Sequence, residues 1–140
     1  MTIGEVAARA GIAPSAIRFY EKGGLLKPPV RLNGRRIYSE GAVHQLVVIL
    51  FAKANGFTLP EIRLLSRGFP DSTPASVRWK KMARGKIAEL EASIVKAKAM
   101  KGMLESLAAH CRCRSFEQCA RGLARHLNHA DRRSPRAVCS

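Results

Sequence analysis

Acidic residues are scarce in this chain: 10 Asp and Glu stand against 25 Lys and Arg, leaving a formal charge of +15 at pH 7. A surplus of that size is costly unless a polyanion or an anionic surface takes it up, and nucleic acid leads the partners it implies. Long apolar runs are also missing. The longest lies around Leu46 to Ala52, far short of the roughly 18 residues that a helical membrane span needs, so no membrane partner is expected. Met1 to Ala10 lacks the basic start, unbroken apolar region and small-residue cleavage site of a secretory signal, and the expectation is a cytoplasmic chain. Cysteine is absent from the first 110 residues. All four, Cys111, Cys113, Cys119 and Cys139, fall in the last 30, where a reducing compartment favours metal binding or redox sensing over structural disulfides. No Ser-His-Asp constellation, phosphate-binding loop or His-Glu-x-x-His pattern occurs, so catalysis is not expected.

A chain of 140 residues suits one compact domain with an extension. Thr2 and Glu5 form a capping box for a first helix that stops at Gly11. Pro14 and Ser15 open a second, with Ala16, Ile17, Tyr20 and Leu25 on its apolar side and Gly23-Gly24 at its end. Helix, glycine-containing turn and helix make a helix-turn-helix. After Pro28-Pro29, Asn33-Gly34 sits between two short extended arms and predicts a β-hairpin, a wing. Ser39 caps a third helix to about Ala54, with Val43, Leu46, Val47, Leu50 and Phe51 as its predicted buried stripe. Thr58 and Glu61 box a short fourth helix.

From Pro74 to about His110 no proline interrupts the pattern, which predicts one helix of some 35 residues, ~50 Å long. Ile87, Leu90, Ile94, Ala97, Leu104 and Ala108 recur at three- and four-residue steps, an antiparallel coiled-coil seam whose natural partner is a second copy. The fold class expected is therefore mainly α. A winged helix-turn-helix domain (1–68) is followed by a dimerisation helix (74–110), a cysteine loop (111–130) and a disordered basic tail (131–140).

Residues 1 to 41 hold seven basic and three acidic groups, 7 − 3 = +4. The basic and aromatic ones cluster where a winged helix-turn-helix meets a duplex: Arg18, Tyr20 and Lys22 on the second helix, Arg35, Arg36 and Tyr38 on the wing, with Ser15 a further DNA-binding candidate where the recognition helix begins. The run Ala16-Ile17-Arg18-Phe19-Tyr20-Glu21-Lys22-Gly23 with Leu25 and Pro28, followed by Asn33-Gly34-Arg35-Arg36-Ile37-Tyr38, resembles the signature of the MerR family of bacterial transcription regulators. Ile3-Gly4-Glu5-Val6-Ala7 and Gly56-Phe57-Thr58-Leu59 fit as well, and the likeness extends over about residues 1 to 119. It implies a homodimer on promoter double-stranded DNA with an overlong spacer. An effector makes that dimer bend and underwind the duplex so that RNA polymerase meets both of its boxes. By the same resemblance Arg18 and Tyr20 touch DNA from the second helix, and Arg36 and Tyr38 from the wing.

Cys111, Cys113 and Cys119, with Arg112, Arg114 and His110 among them, lie just past the long helix and can converge on one soft cation if they share a loop. Two subgroups of the family compete. CueR-like metal sensors carry two cysteines spaced as Cys111 and Cys119 are, and a serine early in the dimer helix, here Ser76. That match implies Cu(I), Ag(I) or Au(I) held by two thiolates. SoxR-like redox sensors have four cysteines, the last three spaced as these are, and a tryptophan where Trp79 stands. Their first cysteine would fall at Ala108, so a [2Fe-2S] cluster would need His110 or Cys139 as its fourth ligand. Taking all three thiols literally suggests Hg(II), As(III) or Pb(II). His126 and His129 read as part of a solvated basic tail.

Overall fold

The computed structural model describes residues 1–129. Its elements are α1 (Ile3–Ala10), α2 (Pro14–Lys22), β1 (Val30–Leu32), β2 (Arg35–Ile37), α3 (Glu40–Ala54), α4 (Leu59–Arg67), α5 (Ala75–His110) and α6 (Phe116–His129). They divide into two units, Met1–Lys86 and a second beginning at Ile87, with α5 running through the boundary. The expected basic tail, and Cys139 within it, lie outside the described residues.

In the first unit α1 and α4 each start where a side chain satisfies their unpaired amides. Thr2 Oγ1 accepts from the Glu5 amide at 3.2 Å while Glu5 accepts from the Thr2 amide at 2.7 Å; Thr58 and Glu61 repeat the arrangement at 3.3 and 2.9 Å. The Thr2 amide bond holds the Glu5 carboxyl below its ordinary value. Gly11 ends α1 in the left-handed region, φ 71°, as the turn of the helix-turn-helix requires. Asn33 and Gly34 take φ 49° and 80°, the paired positive angles of a two-residue turn whose twist suits an antiparallel hairpin. Its register pairs Val30 with Ile37, Arg31 with Arg36 and Leu32 with Arg35.

The core gathers Val6 and Ala7 of α1, Ile17 and Tyr20 of α2, Leu25, Leu26 and Tyr38, the inner face of α3, Phe57, and Ile62 and Leu65 of α4. On α3 the buried residues are Ala42, Val43, Leu46, Ile49 and Ala52, whereas Val47 and Phe51 of the expected stripe are 54% and 61% exposed. The helix is apolar on every side, so its sequence pattern does not single out one face; packing against α1 and α4 chooses it. Ser39 precedes α3 but its hydroxyl makes no capping bond.

This unit reaches past residue 68 because the first turns of α5 pack onto it. Trp79 and Met82 lie against the core, and the Trp79 ring meets Phe51 and Phe57 edge to face at 5.8 and 6.0 Å. Arg78 clamps the connection from α4, donating to the carbonyls of Ser66 (3.0 Å), Pro70 (3.1 Å) and Thr73 (3.1 Å). Lys86 is 5% exposed; its Nζ lies 2.9 Å from Glu61 Oε1 and 5.2 Å from the centre of the Phe57 ring.

In the second unit every residue of α5 from 87 to 102 is exposed, the seam residues Ile87, Leu90 and Ile94 by 54, 49 and 52%. A five-residue connection, 111–115, leads to α6, so the long cysteine loop expected over 111–130 is corrected: Cys119 belongs to the first turns of a helix. Ser115 and Gln118 explain the start. The Gln118 amide donates to Ser115 Oγ, and Gln118 Oε1 accepts from the Arg114 amide, both at 3.2 Å. No helix among the described residues is long and apolar enough to cross a membrane.

Candidate functional site

The outer face of α2 carries Ser15, Arg18, Phe19 and Lys22, all exposed, and the N-cap residue Ala13 offers the first turn no side-chain acceptor. That leaves a helix N-terminus with open amides and two cations along one side, the chemistry that receives phosphate and base edges. Beside it the hairpin projects Arg35, exposed, and Arg36, whose guanidinium lies 3.2 Å from Glu21 of α2.

Glu21 also accepts the Tyr38 hydroxyl, so one carboxylate ties both the wing strand and the residue after it to the helix beside them. Burial, and then the bond to Glu21, pushes the Tyr38 phenol above its ordinary value. Tyr20 and Tyr38 are each 3% exposed and belong to the core, which corrects their reading as surfaces offered to DNA. The amphipathic ring that suits a phosphate contact suits an interior hydrogen bond equally, and Tyr38 has Glu21 within reach.

Arg31 escaped the sequence reading. It is exposed and stands directly across the hairpin from Arg36. Like charges in directly opposed positions repel, so an anion is the natural third party. Once the two-residue turn at Asn33-Gly34 is assigned, counting back from it finds Arg31.

At the far end of the chain, Cys111, Cys113 and Cys119 line one depression of about 290 Å³ with Arg114, Ser115 and Phe116. All three thiols are half-buried, and Phe116 is 93% exposed at the rim. Among the described residues no group of three or more His, Cys, Asp or Glu side chains is arranged to hold a single metal ion. The depression brings the three predicted ligands together without forming a finished three-ligand cage. His110 is exposed at the end of α5 and Ser76 is exposed in its first turn. His126 is half-buried on α6. Among the described residues the lining supplies three thiols and Ala108 supplies no ligand; Cys139, one of the two candidates for the fourth ligand of an iron–sulfur cluster, lies outside the described residues.

A helix-turn-helix with a two-stranded wing and a basic outer face defines a DNA-binding regulator of the winged helix-turn-helix class. Comparison with known proteins narrows the class: the family described as "MerR HTH family regulatory protein" matches residues 1–68, and "MerR, DNA binding" matches residues 43–107. The chain belongs to the MerR family of transcription regulators and is not an enzyme. It is 38% identical over 112 residues to the HTH-type transcriptional regulator CueR of Salmonella typhimurium, spanning 79% of this chain and 81% of that one. To the HTH-type transcriptional regulator HmrR of Sinorhizobium medicae it is 36% identical over 129 residues, 87% of this chain and 88% of the relative. Among solved structures, the transcription regulator PbrR691 from Ralstonia metallidurans CH34, in complex with lead(II), superposes with a TM-score of 0.68 at 31% identity; the match covers 85% of this chain and 94% of that one.

Proposed function

We propose that this regulator senses a thiophilic metal ion through Cys111 and Cys119, with Cys113 beside them, and acts as a homodimer on promoter DNA. The observation that carries the reading is the single depression lined by all three thiols, 25 residues past the last buried position of α5. Soft thiolates select soft cations, and two suffice for linear coordination of Cu(I), Ag(I) or Au(I). Arg114 lines the depression with the three thiols, and Arg112 beside it donates to the Cys111 carbonyl at 3.1 Å. The lead(II)-bound structural relative supports a heavy-metal effector, and with Cys113 added the same site suits Hg(II), As(III) or Pb(II).

The bare seam of α5 supports the dimer. Ile87, Leu90, Ile94 and Leu104 are between 49 and 63% exposed on a single copy, which an antiparallel second copy would cover. Arg18 and Lys22 on α2 and Arg31, Arg35 and Arg36 on the hairpin then face the duplex twice, once per protomer. Bound metal biases the dimer toward the form that distorts its promoter, and that bias equals the ion's difference in affinity for the two forms. Polymerase engages the distorted promoter.

The test is anaerobic titration of the intact protein with Cu(I), Ag(I), Hg(II), Pb(II) and As(III), followed by transcription from its promoter. Cys111→Ser and Cys119→Ser are expected to abolish induction while leaving DNA binding intact. Cys113→Ser separates two-thiolate from three-thiolate ions: it spares the response to the former and removes the response to the latter. Full induction in both Cys111→Ser and Cys119→Ser would refute metal gating.

A further inference from the structure

A second basic surface lies at the C-terminal end of α2, where two side chains of α4 reach the Gly23-Gly24 turn. Arg63 of α4 donates through Nε and Nη2 to the Gly23 carbonyl at 3.1 and 2.7 Å, and Arg67, one turn on, holds Nη1 3.6 Å from where a β-carbon on Gly24 would sit. Lys22 and Lys27 flank the same Gly23-Gly24 turn and are exposed. Over residues 14–27 and 59–67 the chain has five basic groups (Arg18, Lys22, Lys27, Arg63, Arg67) and two acidic ones, Glu21 and Glu61. Both carboxylates are engaged elsewhere, Glu21 by Arg36 and Tyr38, Glu61 by Lys86. Among the described residues Lys22, Lys27 and Arg67 form no ion pair and no side-chain hydrogen bond, so their charge is fully available.

The placement of this charge favours one partner. Ser15, Arg18, Phe19 and Lys22 run along the exposed side of α2, and the Arg63–Arg67 edge of α4 continues that line beyond the end of the helix. Arg63 is held in place by the Gly23 carbonyl, so the patch is built onto the recognition helix itself. From this we infer that Arg67, with Lys27 and Arg63, binds the backbone phosphates of duplex DNA just outside the segment read by α2 and the wing. The contact is independent of sequence and lengthens the footprint of each protomer.

The experiment uses the full chain and a duplex it selects from a random pool, prepared with long flanks and with the flanks trimmed to the α2 and wing contacts. Binding is followed by anisotropy across salt concentrations for Arg67→Gln, Arg67→Lys and Lys27→Gln. Each phosphate contact contributes about 0.9 to the slope of log affinity against log salt, so losing one per protomer of a dimer lowers the slope by about 1.8. Near ~0.15 M salt that corresponds to about 30-fold weaker binding of the long duplex. Arg67→Lys is expected to keep most of the affinity, and the trimmed duplex to show no difference. Lys27→Gln, remote from the α4 packing, is expected to repeat the loss in weaker form. An unchanged slope for both Arg67→Gln and Lys27→Gln on the long duplex overturns the inference, and so does an equal loss on long and trimmed duplexes. Metal response enters none of these readings, so a failed metal titration leaves them standing.

Discussion

Glu61 performs two tasks with one oxygen: Oε1 accepts the Thr58 amide that opens α4 and the Lys86 ammonium from α5, both at 2.9 Å. The two partners of this ion pair should therefore respond unequally to substitution. Glu61→Gln preserves an acceptor for the capping box but removes a negative charge from an ammonium only 5% exposed, which costs about 2–3 kcal/mol when a buried charge loses a counter-charge. Lys86→Met fills the same space with an apolar chain and leaves a carboxylate that is 28% exposed and still capping α4, so the loss should be about 1 kcal/mol or less. The bonds from Thr58 and Lys86 hold the Glu61 carboxyl down from 4.5 to about 2. A group bound more weakly by protons when folded adds stability that is complete above its unfolded value and lost as pH falls through the folded one. Here that window is pH 4.5 to about 2. At full strength the difference is worth roughly 3 kcal/mol, and solvent screening of a partly exposed carboxylate brings it to about 2. Trp79, the single tryptophan, packs against Phe57, the ring beneath Lys86, and reports urea unfolding directly. Melts at one fixed protein concentration should show Glu61→Gln less stable than Lys86→Met at pH 7, with the acid loss flattened in Glu61→Gln. Equal costs for the two variants, or parallel acid curves for Glu61→Gln and the parent, would refute the reasoning.

Arg78→Ala should lower stability by about 2–3 kcal/mol in urea and open residues 68–74 to protease, and Arg78→Lys should recover little, because an ammonium cannot span carbonyls from Leu65 to Thr73. Gly68→Ala would set a β-carbon 2.6 Å from the Leu64 carbonyl oxygen, so the end of α4 must shift; a thermal melt should register a loss of about 1–3 kcal/mol. Gly34→Ala places a side chain at φ 80° in the wing turn, costing about 1 kcal/mol locally, and should weaken DNA binding in a gel-shift titration while leaving the core melt nearly unchanged.

What the sequence makes legible here is local. Thr2 with Glu5, Thr58 with Glu61 and the Asn33-Gly34 turn each settle their geometry within four residues, and all stand where the pattern puts them. Where several faces or partners compete, the pattern falls silent. Helix α3 is apolar all round, so only packing selects Ala42, Ile49 and Ala52 over Val47 and Phe51. Tyr20 and Tyr38 carry the residue types of a DNA contact, yet the interior claims them, and the Tyr38 partner Glu21 is 17 residues away. Lys86 reads as one more solvated lysine until its distance to Glu61 is known. The cysteines were evident from spacing alone, whereas the capping bonds of Ser115 and Gln118 that turn half of their region into helix are weaker signals, masked by the chemistry around them.

Beyond Lys86, α5 runs for sixteen residues, 87–102, with no position covered by its own chain. A stretch of that length carries little helical stability in water by itself, and its intrinsic propensity is further weakened by Gly102. Its order must come from whatever lies along the Ile87, Leu90 and Ile94 seam. With the second copy proposed above in that role, the order of this stretch becomes a function of how much regulator the cell holds, so abundance itself would set a threshold for the proposed metal response.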